Sequence, residues 1–139
     1  MTMNAVSEDI KTLLNGEVSL SLTDGTDLFA FEWGNGEDGA EIDQQVLILD
    51  TEALDSELKN LYENPTFQII VRGAKNESGK EVHDRARPIY DFLRQQLTQD
   101  IGSVSYLQFE PIANVLPLGK DDNGRHGYSM NFYTFRNPI

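Results

Sequence analysis

Cysteine is absent from the 139-residue sequence, so disulfides and thiolate chemistry are unavailable and a redox role is excluded. Basic residues are scarce: 11 Lys and Arg stand against 23 Asp and Glu, a formal net charge of −12. Such a surface repels phosphate over much of its extent, which argues against sequence-wide attraction to nucleic acid. Long apolar runs are missing too. The stretch from Met1 to Ile10 has no basic start and no apolar segment of signal-peptide length, and nothing later approaches the ~18 residues of a membrane span. The expectation is a chain without export signal or membrane contact, made in the cytoplasm. Its length suits one domain over residues 1–139, and a chain of this size buries a little under ~70% of its unfolded surface without needing a staple.

The charge that is present is unevenly spread. Residues 1–64 hold 15 acidic groups against Lys11 and Lys59, 2 minus 15, net −13; residues 65–139 hold 8 acidic and 9 basic, net +1. Acidic loops of this kind serve solubility, and they also set what the surface can meet.

Hydrophobic spacing then divides the chain into elements. Val6, Ile10, Leu13 and Leu14 fall on one helical face, with Asn4 as a cap, Glu8 and Asp9 suited to the positive helix end, and Gly16 as a stop, which predicts a helix over 4–15. Leu28 to Trp33 and Val46 to Leu49 are rich in β-forming residues and read as neighbouring strands joined by a hairpin loop containing Gly34, Gly36 and Gly39. Leu54, Leu58 and Leu61 suggest a helical turn or wrapped loop before Pro65. Phe67 to Arg72 is a strand ended by Gly73. A long helix is expected over 80–99, with Val82, Ala86, Ile89, Tyr90, Leu93 and Leu97 on one stripe and either a kink at Pro88 or a division into two pieces. Beyond Gly102, Val104, Tyr106, Gln108 and Glu110 alternate with Ser105, Leu107 and Phe109. Leu116 to Gly119 and Tyr128 to Phe135 flank Asn123-Gly124, a hairpin signal. Without βαβ alternation the order predicts an α+β fold: a mainly antiparallel sheet, two principal helices packed on it, and a C-terminal β-hairpin.

Strings that look like chemistry fail on their context. Gly34-Asn35-Gly36-Glu37-Asp38-Gly39 matches G-x-G-x-x-G, but a strand follows where a dinucleotide site needs a helix N-terminus, and Glu37 and Asp38 would repel a pyrophosphate. Between Gly73 and Gly79 lie five residues where a phosphate-binding P-loop has four, and Glu81 stands in place of the magnesium-binding hydroxyl. Asp121-Asp122-Asn123-Gly124 lacks the first carboxylate and the closing glutamate of a calcium loop. His83 and His126 lie on different elements and form no ligand pair, the serines lack a nucleophile elbow, and His83 and Asp84, adjacent on a helix, diverge. Asn76-Glu77-Ser78 fits a glycosylation acceptor but has no route to the modifying enzymes. No catalytic, cofactor or metal residue emerges, and the expectation is a non-enzyme.

One resemblance does emerge. The run Phe67-Gln68-Ile69-Ile70-Val71-Arg72-Gly73, a long helix carrying Ala86 and Tyr90-Asp91-Phe92-Leu93, then Pro117 to Arg125 and Tyr128-Ser129-Met130-Asn131-Phe132 resemble long-tailed bacteriophage tail terminators, a family also labelled minor capsid protein. The resemblance runs from about Val46 to Phe135; the acidic Gly-rich loop and Pro88 depart from it. It implies a virion structural protein at the tail–neck junction: a small α+β subunit, usually six to a ring, that sits on the last tail-tube ring, halts its polymerisation and presents a surface to the head connector or stopper protein. DNA would pass through the lumen without specific binding, and no cofactor is implied. Two other readings remain, a head-completion or stopper protein of the same neck and a small acidic host binding module.

Copies near −12 repel, so a ring needs complementary patches. The basic residues Arg72, Arg85, Arg87 and Arg125 are candidates to meet Glu37 and Asp38 of a neighbouring subunit, and the acidic surplus is a candidate lining for the channel. The terminal hairpin, with Asp121, Asp122 and Asn123 at its tip, and the 34–39 loop are candidates for tube or connector contact.

Overall fold

A computed structural model describes residues 4–36, 42–51 and 63–138. Two helices lie on a sheet that has seven strands among the described residues. In chain order the elements are α1 (Val6–Asn15), a 3₁₀ turn (Val18–Leu20), β1 (Leu28–Ala30), β2 (Gln45–Thr51), β3 (Thr66–Arg72), α2 (Gly79–Arg94), β4 (Gln99–Ile101), β5 (Val104–Pro111), β6 (Leu116–Lys120) and β7 (His126–Pro138). The sheet runs β1-β2-β3-β7-β5-β4, and β6 pairs with the first part of the long β7. Every pair is antiparallel except β1 with β2. The fold is the expected α+β arrangement.

Residue alternation in β3 and β7 sets the core. Phe67, Ile69 and Val71 pair with Phe132, Met130 and Tyr128, so these side chains share one face of the sheet. Val6, Ile10 and Leu14 of α1 and Val82, Ala86, Ile89, Tyr90 and Leu93 of α2 close over that face in one cluster. The Phe67 ring stacks on Phe132 at 5.4 Å and meets Phe109 edge-on at 6.0 Å. Burying each such ring contributes roughly 1.5–3 kcal/mol.

Helix ends depart from the expected signals. Asn4 does not cap α1. Ala5 occupies the cap position, and Asp50 of β2 accepts hydrogen bonds from Ser7 N (2.9 Å) and Ser7 Oγ (2.6 Å), placing a carboxylate at the positive end of the helix. Ser78 caps α2 by accepting from Glu81 N. Pro88 neither ends nor divides α2, because it lies on the exposed side, where water can satisfy the Asp84 carbonyl it leaves without a helical donor. The helix stops at Arg94 instead of residue 99. Leu97 therefore leaves the apolar stripe and is 73% exposed, and Gln99–Ile101 forms an unforeseen strand that turns into β5 through Gly102 (φ 59) and Ser103.

Three strand expectations are corrected. β1 and β2 are neighbours but parallel, so the connection from 31 to 44 is a crossover and no hairpin; its length is what a parallel pair requires. In β5 the alternation breaks: a register shift between Tyr106 and Phe109 adds a residue, so Val104, Tyr106 and Phe109 all point into the core. The terminal hairpin closes through a longer loop than a two-residue Asn-Gly turn. Gly124 N donates to Asp121 O, Asp121 N donates to Arg125 O, and Gly124 (φ 77) supplies the left-handed residue of a bulged turn. The suggested turn at Leu54, Leu58 and Leu61 lies outside the described residues.

Candidate functional site

The four arginines singled out in the sequence are held by their own chain. Arg72, at the end of β3, is buried; its guanidinium lies 4.3 Å from the Trp33 ring centre and donates to the carbonyls of Asp43 (3.1 Å) and Ile42 (2.5 Å). Arg125 leaves the hairpin loop and turns inward until its side chain is 2% exposed, with Nε and Nη2 each 2.8 Å from Asp43 Oδ1 and Nη1 3.7 Å from Asp121 Oδ2. One residue, Asp43, thus ties the lead-in of β2 to the end of β3 and to the C-terminal hairpin. Arg85 pairs with Glu77 at the start of α2, and Arg87 pairs with Asp91 one turn on (3.2 Å) while lying 4.8 Å from the Tyr90 ring centre. Glu37 and Asp38 lie outside the described residues.

Two carboxylates at this end of the sheet are tuned by those contacts. Glu77 accepts from Arg85 Nη2 (2.9 Å), Ala74 N (2.7 Å) and Gln44 Nε2 (2.8 Å). The Arg85 hydrogen bond, helped by the Ala74 amide and Gln44 and opposed by burial, holds its carboxyl below the usual range. Asp121 Oδ1 accepts from the backbone amides of Arg125 (3.0 Å) and Asn123 (2.8 Å), and the Arg125 amide leads in lowering its pKa. Asp121 therefore builds the turn, while Asp122 and Asn123 stand exposed at its tip.

Two surface hollows among the described residues offer no reacting pair. A groove of about 420 Å³ between the 3₁₀ turn and α2 is lined by Ser19, Ser21, Gln44, Arg85 and Pro88 among others, and a shallow cleft of about 210 Å³ by Trp33, Ile70, Leu118 and Lys120. Neither brings a serine to a histidine. Among the described residues no three His, Asp or Glu side chains gather as a metal ion needs. His83 stacks edge-on with Tyr128 at 5.3 Å, a packing contact.

A family model described as "Bacteriophage tail terminator protein" matches residues 19–136. The chain belongs to that family. It is a tail terminator, a structural rather than catalytic component of the phage virion tail. A search of curated proteins finds no match. One exposed apolar feature escaped the charge-based reading. The arm formed by residues 112–123 is exposed at every position but Val115, with Ile112, Leu116 and Leu118 showing 54%, 44% and 53% of their surface. Phe31, at the opposite edge of the sheet, is 55% exposed. Apolar residues on both faces of the hairpin were the signal for the arm; nothing in the local pattern signals Phe31, whose neighbours read as a continuing strand.

Proposed function

We propose that this tail terminator assembles into a closed ring of identical subunits, six in number, that caps the last ring of the tail tube, stops its polymerisation and offers its far face to the head connector. The carrying observation is the family match over residues 19–136. Arg72 and Arg125 are buried in the subunit, whereas Arg85 and Arg87 of α2, each paired with an acid of its own chain, keep part of their side chains at the surface; this reading gives that pair to a neighbour's acidic loop such as Glu37 and Asp38. In this reading the exposed tip at Asp121, Asp122 and Asn123 meets the tube or the connector. Part of the acidic surplus of residues 1–64, −13 in all, lines the lumen, where it keeps DNA from adhering.

Negative-stain imaging of the purified chain, alone and with tail-tube rings, tests the reading. Closed rings with a central hole, and tubes capped at one end, are the expected result. A protein that stays monomeric beside tube rings and leaves tube growth unchanged would overturn it, and binding to the portal-side adaptor without the tube would point to a stopper.

A further inference from the structure

At the hairpin end, the sheet runs β1-β2-β3-β7-β6, so β1 and β6 are its two outer strands, four spacings or roughly 19 Å apart. Each edge carries exposed apolar groups. On β6 these are Leu116 and Leu118, with Ile112 just before. On the β1 side it is Phe31, held at φ 73, a left-handed backbone that costs a bulky residue about 1–2 kcal/mol. A strained aromatic turned to solvent marks a position kept for contact rather than for folding.

One opposite-charge pair is available between the two edges, the exposed Lys120 on the arm and the exposed Glu32 beside Phe31. Lys120 is the one basic group of the arm, which Asp121 and Asp122 at its tip bring to −1 over residues 112–123. Residues 17–32 contain Glu17, Asp24, Asp27 and Glu32 and no basic residue, and of these Asp24 is paired with Lys11 (3.4 Å). Neither edge is open to strand addition. Gly25 N and Glu32 N already donate to the outward carbonyls of Leu28 (3.1 Å) and Ala30 (2.9 Å), while β6 carries Pro117, a register shift beside it, and Lys120, the features that blunt an edge. The contact these edges can make is between side chains.

We propose that the β6 arm of one copy docks head to tail on the Phe31 edge of a second copy, Leu116 and Leu118 packing on Phe31 and Lys120 facing Glu32. A second copy is the occupant because both complementary halves belong to this chain and lie on opposite edges, the arrangement that propagates a heterologous interface around a ring. The inference rests on the ring reading above and assigns its interface.

The test is sedimentation velocity on the full chain, alone and with tail-tube rings, comparing wild type with an arm variant (Leu116→Glu, Leu118→Glu) and an edge variant (Phe31→Gly). Phe31→Gly relieves the strained backbone, so its folding is retained while the contact is lost, and circular dichroism checks both variants. Each variant alone should weaken self-association roughly tenfold or more, as removal of a buried anchor does. Mixed together, they should form one-to-one heterodimers that grow no further, since each pair keeps a single intact interface. Rings formed by both variants as by wild type would overturn the inference and leave the ring reading standing, as would an arm variant that forms rings yet fails to bind tubes. A wild type that stays monomeric on tube rings would overturn both.

Discussion

Tyr106 and Asp9, 97 residues apart in sequence, meet inside the protein: the tyrosine Oη donates to Asp9 Oδ2 at 2.5 Å, with the two residues 0% and 3% exposed. Arg136 completes the junction, reaching Tyr106 Oη (3.4 Å), the Asn4 carbonyl (2.7 Å) and Glu63 Oε2 (2.8 Å). α1, β5, β7 and the approach to β3 are thereby fastened at one point. Replacing Tyr106 with Phe removes the donor and leaves a buried carboxylate short of a partner, a loss of about 1–3 kcal/mol in urea denaturation. Burial, reinforced by Asp9, raises the phenol's pKa well above its ordinary 10. Because the folded value is raised, this stabilisation is complete below pH 10 and declines as pH rises toward the folded value. Tyr106→Phe should lose that component of the alkaline decline.

Asp43 should matter more to stability than an isolated surface acid. Arg125 is 2% exposed at its side chain and finds its 2.8 Å partner there. Asp43→Ala is expected to cost about 2 kcal/mol, the range for a charged hydrogen bond lost by a buried group. The C-terminal hairpin loop should also lose hydrogen-exchange protection, which a general weakening of the core would not concentrate there.

Glu77 supplies a pH dependence of opposite sign. Its folded pKa is lowered, so the stability it contributes is present above its ordinary value of 4.5 and is lost as pH falls through the folded value. Glu77→Gln should therefore narrow the gap between neutral and acid stability in thermal melts taken between pH 7 and pH 3. An unchanged acid profile would remove Glu77 from the set of groups that govern it.

Gly34 tolerates no side chain. A Cβ there would lie 2.0 Å from Cε1 of Phe29, so the Phe29 ring would have to leave its place on β1. Gly34→Ala is expected to cost roughly 1–3 kcal/mol in thermal unfolding, the usual range for overpacking. Gly25→Ala in the preceding loop is the contrast, with open space around it and only backbone strain at φ 83 to bear.

What the sequence determined by itself is whatever depends on near neighbours along the chain. The 3.6-residue spacing of Val6, Ile10 and Leu14, and of Val82, Ala86, Ile89 and Leu93, specified two helices and their buried faces, and the β-branched run at 67–72 specified the central strand. The pattern from Phe67 to Phe132, by its resemblance to tail terminators, already pointed to a structural tail component. The tertiary structure decided the rest. It made β1 parallel to β2, slipped β5 so that Phe109 joins Tyr106 in the core, capped α1 with Asp50 instead of Asn4, and turned Arg72 and Arg125 inward onto Asp43. Each of these joins groups from 29 to 82 residues apart or depends on which strand lies alongside. Periodicity reports which way a side chain faces relative to its own element, whereas burial and charge pairing are settled only when distant elements pack and each polar group finds the partner that replaces water.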